Sequence, residues 1–296
     1  MGVRKKKGRF FITLSLVIFF IAGFFVGGYF LLDKAIVPKY FGDYGIHSMG
    51  DLVGMVKTLY SSPNESNLVK NGFSALDTKN AEDKLKNIFP VLEDTSELDY
   101  SAISNGVVKD NLQFPITIQF SDKELAGVLN KMLEGDILSK KLPTLDYIST
   151  IGINVLELVI EPETLAEGFN PDSAKVHAIF KVNTTNVREQ MAAELGINMF
   201  LLNMIIPDVL YLTVDYNLEL ADDGWVYNDG NISVNGRTSK QSEILLNLLI
   251  GFIFPEEEEM NLEKLTSSFG DIMQTGLDIL GQAEYIENGI IVTINE

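Results

Sequence analysis

The chain contains no cysteine and only two histidines. Without cysteine it can form no disulfide, thiolate nucleophile or zinc–thiolate site, so its folded part must be held together by its core alone. The sequence also contains no GxSxG, HExxH, phosphate-binding glycine loop or EF-hand loop. We therefore predict that the protein is not an enzyme and that it binds no metal or other cofactor.

Basic side chains are fewer than acidic ones. The chain has 23 basic and 41 acidic residues, and residues 1–34 contain six of the former and one of the latter. The rest of the chain therefore carries 17 basic and 40 acidic groups, a net charge of −23. Such a surface repels nucleic acid and anionic headgroups. Nucleic acid is thus excluded as a partner, whereas a basic protein would be attracted.

Residues 10–32 form one uncharged apolar run of 23 residues. About 20 apolar residues in a helix span the hydrocarbon core of a bilayer, so the run predicts a transmembrane helix. It is too long for the ~7–15-residue core of a cleaved signal peptide. Five basic residues precede it, and this excess predicts an uncleaved signal anchor in the cell membrane, with a cytoplasmic N-terminus and the bulk of the chain outside.

The sequence suggests five regions along the chain. They are a basic tail (1–9), the anchor (10–32), a juxtamembrane connector (33–47), a small helical region (48–110) and an α+β ectodomain (111–296). In the helical region, Ser48 predicts the cap of a helix over 49–61, and a second helix over 79–89 would stop before Pro90. The turn-rich 61–78 and the polar 91–113 are predicted as loops, the latter with one short strand.

The ectodomain opens with a strand that runs directly into a helix. Residues 114–120 (FPITIQF) alternate and are rich in β-branched side chains, which predicts a strand. Ser121 and Glu124 then have the spacing of a capping box, and apolar residues follow at helical spacing to residue 134. Further strands are predicted over 150–160, 174–184, 209–220, 225–235, 283–286 and 289–295. Helices are predicted over 186–205, 240–253 and 261–280, the last with the clearest apolar stripe.

Two stretches, 197–206 and 244–254, are apolar on nearly all sides of a helix. A half-exposed helix needs only one apolar stripe, so these stretches are either core or the lining of a lipid-sized cavity, and the pattern leaves both open. If they line a cavity, six side chains are the candidate ligand-binding residues: Phe200, Leu201, Met204, Leu248, Leu249 and Phe252. By contrast, we predict that His177 is a solvated side chain and not a catalytic one, and that the acidic run 256–259 is a solvated loop and not a cation site.

The stretch ITIQFSDKELAGVLNKML resembles the unit that opens YpmS-type and related tubular lipid-binding (TULIP-like) proteins of the bacterial envelope. The later order, with ADDGW, then NISVNG, then a helix near Lys240, is similar as well. The resemblance extends over 114–296. It implies an N-terminal membrane helix and a curved antiparallel sheet wrapped around a long C-terminal helix, here 261–280.

Together these observations predict a single-pass α+β protein of the cell envelope that binds a lipid or another apolar ligand without catalysis. The alternative is an extracytoplasmic protein–protein scaffold of an envelope assembly, whose acidic surface meets a basic partner.

Overall fold

The described part of the chain contains seven helical segments and seven strands in a computed structural model. The structure describes residues 33–34, 37–41, 46–60, 63–134, 152–165, 168–195, 199, 203, 206–221, 224–237 and 282–295. The helices are α1 (Val37–Phe41), α2 (Met49–Tyr60), α3 (Glu65–Leu68), α4 (Ala75–Leu85), α5 (Tyr100–Ser104), α6 (Asp122–Glu134) and α7 (Thr185–Leu195). The strands are β1 (Ile116–Ser121), β2 (Ile153–Leu165), β3 (Gly168–Asn183), β4 (Val209–Ala221), β5 (Gly224–Val234), β6 (Gln282–Ile286) and β7 (Gly289–Ile294). The protein is thus α+β, as the sequence predicts.

The chain divides into two compact units, each assembled from separate stretches. One comprises Met1–Ser62, Asn183–Leu210 and Ser233–Leu262, and the other comprises Pro63–Val182, Tyr211–Ile232 and Glu263–Glu296. The first unit has 11 basic and 11 acidic residues, whereas the second has 12 basic and 30 acidic ones. The net charge of −18 therefore resides in the second unit.

Strands β1, β7 and β6 form a three-stranded antiparallel sheet in the order β1-β7-β6. In this sheet β1, which follows Pro115, pairs with the C-terminal strand β7. The β1–β7 register runs from Ile116↔Ile294 to Ser121↔Gly289. At Gly289 a Cβ atom would lie 2.1 Å from the carbonyl oxygen of Phe120, so only glycine permits this approach. The paired strands β1 and β7 are therefore far apart in sequence but adjacent in space.

The second sheet has four strands in the order β2-β3-β4-β5. Its inner face carries apolar side chains that are buried along β2, β3 and β4: Ile153, Val155, Leu158, Ile160, Ala174, Val176, Ala178, Phe180, Val182, Leu210, Leu212, Val214 and Tyr216. Its outer face carries Lys175, His177 and Lys181 from β3, none of which is buried. One buried and one polar face is the alternation that the sequence of 174–184 predicts.

Helix α6 confirms the capping box. The Ser121 N–H donates to Glu124 Oε2 at 2.9 Å, and the Glu124 N–H donates to Ser121 Oγ at 3.3 Å. The apolar side of α6 is buried and contacts both β2 and α4. On the β2 side, Asn130 Oδ1 accepts the Val155 N–H at 2.9 Å. The helix therefore satisfies a backbone donor on an edge strand that would otherwise be open.

Several predicted elements differ from the structure. The strands form two sheets and not one curved sheet, because β1 pairs with the C-terminal β6–β7 hairpin instead of with β2. Helix α4 begins at Ala75 instead of 79, since Ser74 and Asp77 form a second capping box. The supposed loops contain the short helices α3 and α5. On α2, Val53 is 50% exposed, whereas its neighbour Leu52 is 1% exposed.

The predicted anchor (10–32) and the predicted helices over 240–253 and 261–280 lie outside the described residues. Among the helices in the described ranges, none is both long enough and apolar enough to cross a bilayer.

Candidate functional site

All six candidate ligand-binding residues lie outside the described residues: Phe200, Leu201, Met204, Leu248, Leu249 and Phe252. What the structure does describe is the backbone from which their two stretches extend. Stretch 197–206 lies between α7 and β4, and stretch 244–254 follows β5.

The strand topology relates the two stretches. β3, β4 and β5 are consecutive neighbours in an antiparallel sheet, so the end of β3, the start of β4 and the end of β5 share one end of that sheet. The β2–β3 and β4–β5 connections lie at the opposite end. Both apolar stretches therefore connect to strand ends on the same side, although 37 residues separate them in sequence. This relation could not be read from the sequence.

A buried arginine fixes the chain where stretch 197–206 returns to β4. Arg188, on α7, is 5% exposed, and its Nη2 lies 2.5 Å from Asp208 Oδ1. Its Nη1 donates to the carbonyl oxygen of Ile206 at 3.3 Å. Thr184 adds two contacts: its N–H donates to Asp208 O at 3.1 Å, and its hydroxyl donates to Pro207 O. These bonds clamp residues 206–208 to the start of α7.

Sequence reasoning missed this clamp. Arg188 is one of two basic residues between 182 and 237, and Asp208 directly follows the helix-stopping Pro207, so a weak signal existed. The pairing itself forms only because the folded chain places Asp208 beside Arg188.

The outer face of the four-stranded sheet carries a row of basic side chains, each opposite an acidic one. Lys175 pairs in register with Glu161, and His177 Nδ1 lies 2.6 Å from Asp215 Oδ1 on β4. A histidine oriented by a carboxylate is half of a general-base arrangement. Among the described residues, however, no nucleophilic side chain hydrogen-bonds to the other ring nitrogen. The pair is half-exposed and has the character of a solvated cross-strand contact, which agrees with the prediction for His177.

Glu65, on α3, joins two strands at the other end of the row. Its Oε2 accepts from Lys181 Nζ and from Tyr211 Oη, both at 3.0 Å. The hydrogen bond from Lys181, followed by that from Tyr211, lowers the pKa of the Glu65 carboxyl. In return, Glu65 raises the pKa of Lys181. For Tyr211, loss of hydration and then the bond to Glu65 raise the pKa. The shifts of Glu65 and Lys181 favour the ion pair over its neutral form, and the raised pKa keeps Tyr211 a neutral donor.

The second carboxylate at this surface is Glu157, which is 3% exposed in the middle of β2. Its Oε2 accepts the Lys70 N–H at 2.5 Å and the Asn71 N–H at 2.9 Å. A β-bulge between Val155 and Glu157 shifts the register at this position and places Glu157 opposite Ile179 on the outer face. The readable signal was a lone acidic residue inside the apolar run INVLELVI.

No family model matches the chain, and no curated protein matches it significantly.

In the described ranges, no group of three or more histidine, aspartate or glutamate side chains is arranged to hold a metal ion. On the outer face of the four-stranded sheet, the described ion pairs are His177–Asp215 and Lys181–Glu65.

Proposed function

We propose that this protein is a membrane-anchored, non-enzymatic α+β protein that binds a lipid or another apolar ligand on the extracytoplasmic side of the cell membrane. The observation that carries the proposal is that both all-round-apolar stretches connect to the same end of the four-stranded sheet. Apolar side chains from the two stretches could then bury one acyl chain, worth ~0.8 kcal/mol per CH₂.

The division of the chain supports the same proposal. The unit that contains Met1–Ser62, Asn183–Leu210 and Ser233–Leu262 includes the predicted anchor and both apolar stretches. It has equal numbers of acidic and basic residues, so no net charge opposes contact with an apolar ligand. The resemblance to YpmS-type and TULIP-like proteins implies lipid binding as well. In this proposal, the four-stranded sheet curves around the predicted helix 261–280.

The test compares lipid retained by full-length variants in detergent, measured by native mass spectrometry and by lipid extraction. Leu249→Asp and Met204→Asp place a charge in each apolar stretch, and we expect both to lose the bound lipid. Leu165→Asp is the matched control, because Leu165 is 51% exposed at the opposite end of the sheet. Every variant keeps the predicted anchor, so lipid bound around the anchor contributes equally to each measurement. Equal lipid retention in all three variants would overturn the proposed site.

The alternative function is a protein–protein scaffold with a basic partner. The observation that favours it is the concentration of charge in the second unit, which has 30 acidic and 12 basic residues. Charge complementarity of this kind mainly accelerates association and makes it dependent on salt. A lipid-free protein that captures one basic envelope protein at low salt, and releases it at high salt, would favour the scaffold.

A further inference from the structure

Residues 63–72 cross the outer face of the four-stranded sheet, and we call this segment the strap. Its only regular element is α3, which contributes no buried residue. None of the other strap residues is buried either. The strap is therefore attached to the sheet without an apolar core of its own.

Its described polar contacts with the sheet converge on two carboxylate oxygens. Glu65 reaches from the strap to Lys181 on β3 and Tyr211 on β4, at 3.0 Å each. Glu157 reaches in the other direction, from β2 to the strap N–H groups of Lys70 and Asn71, at 2.5 and 2.9 Å. Charge-assisted bonds of this kind are about twice as strong as neutral ones. Two latches thus hold the two ends of the strap.

Beneath the strap the outer face carries a buried apolar side chain. Ile179 lies opposite Glu157 in the β2–β3 register and is 2% exposed. Its neighbours on the same face of β3, His177 and Lys181, are only half-buried. The strap is bonded to Glu157 on β2, on one side of β3, and to Tyr211 on β4, on the other. This placement agrees with the burial of Ile179 on β3.

We propose that the strap is a releasable cover that closes over Ile179 on the outer face of the sheet. Segments with little apolar burial open at lower free energy than the core. Opening requires only that the two carboxylate latches part, whereas the inner-face core of the sheet stays intact. This device lies on the outer face, and it does not depend on ligand binding to the apolar stretches.

The test uses the absence of cysteine from the chain, which makes any introduced thiol a unique probe. Ile179→Cys places the thiol under the strap. Val176→Cys places it on the inner face of the same strand at equal burial, 2% exposed. Full-length protein in detergent is labelled with a maleimide, with and without the latch changes Glu65→Gln and Glu157→Gln. Glu161→Gln is the control substitution, because Glu161 is an exposed carboxylate on the same strand and the same face as Glu157.

We expect the two latch changes together to accelerate labelling at position 179 by roughly tenfold or more, since each replaces a charged acceptor with a neutral one and so weakens the bonds to it. Labelling at position 176 should not change, and Glu161→Gln should leave both rates as they were. The proposal is overturned if position 179 stays as slow as before. It is overturned equally if positions 176 and 179 accelerate together, because opening is then global unfolding.

Discussion

Replacing Asp122 with asparagine should stabilise the protein at neutral pH. Asp122 begins α6 and is 8% exposed. Its N–H donates to the carbonyl oxygen of Asn288 at 3.1 Å, and its carboxylate accepts from the backbone of Ile160. In the described structure, however, its buried Oδ1 has no hydrogen-bond partner. An ionised oxygen that is removed from water without a partner is costly.

The magnitude follows from the pKa of this carboxyl. Burial, with a smaller contribution from the nearby Glu161 carboxylate, raises the pKa of Asp122 from 3.8 to about 6. Because the folded-state pKa is above the unfolded value, the folded protein binds the proton more tightly. The penalty is therefore absent below pH ~4, grows between pH ~4 and ~6, and stays at its limit of ~3 kcal/mol above that range. Asparagine resembles the neutral form, and it loses at most ~1 kcal/mol of favourable charge at the start of the helix.

The assay is urea unfolding of the full-length protein in detergent between pH 4.5 and 8, for the wild type and for Asp122→Asn. The variant should be more stable by roughly 2–3 kcal/mol at pH 8, and the two proteins should converge toward pH 4.5. Asp110→Asn, at an exposed aspartate, is the control and should track the wild type. A variant that is less stable at pH 8, or a gap that does not narrow in acid, would refute the reasoning.

Three further predictions concern packing and ion pairs. Gly127→Ala should lower the free energy of unfolding by roughly 1–3 kcal/mol in thermal melts, because the added Cβ would lie 2.4 Å from Thr78 Oγ1; an unchanged melt would contradict the close α4–α6 packing. Arg188→Ala should accelerate hydrogen exchange of the Asp208 region, by removing the clamp described above, and protection equal to the wild type would count against the clamp. Asp215→Asn should change stability by less than ~0.5 kcal/mol, since its pair with His177 is exposed, and a loss above ~1.5 kcal/mol would show that the pair is structural.

Local patterns in the sequence identified much of the secondary structure. The capping box at Ser121 and Glu124 forms as predicted, because its partners are three residues apart and depend on nothing distant. The alternation in 174–184 likewise identified the buried side of β3 before any neighbour was known. The predicted start of α4 at residue 79 is four residues late, because the Ser74–Asp77 capping box, although equally local, starts the helix at Ala75. The predicted ligand-binding residues and the anchor remain predictions.

The sequence by itself determined the types of most longer elements, the buried face of 174–184 and the partition of apolar and acidic residues, because these depend on spacing along one segment. Only the tertiary structure decided that β1 pairs with β7, that β3, β4 and β5 are consecutive neighbours in one sheet, and that Glu157 binds the backbone of the strap. Each of these contacts joins residues far apart in the chain. Their formation depends on how the whole chain closes its loops and buries its polar groups, which no single window of sequence contains.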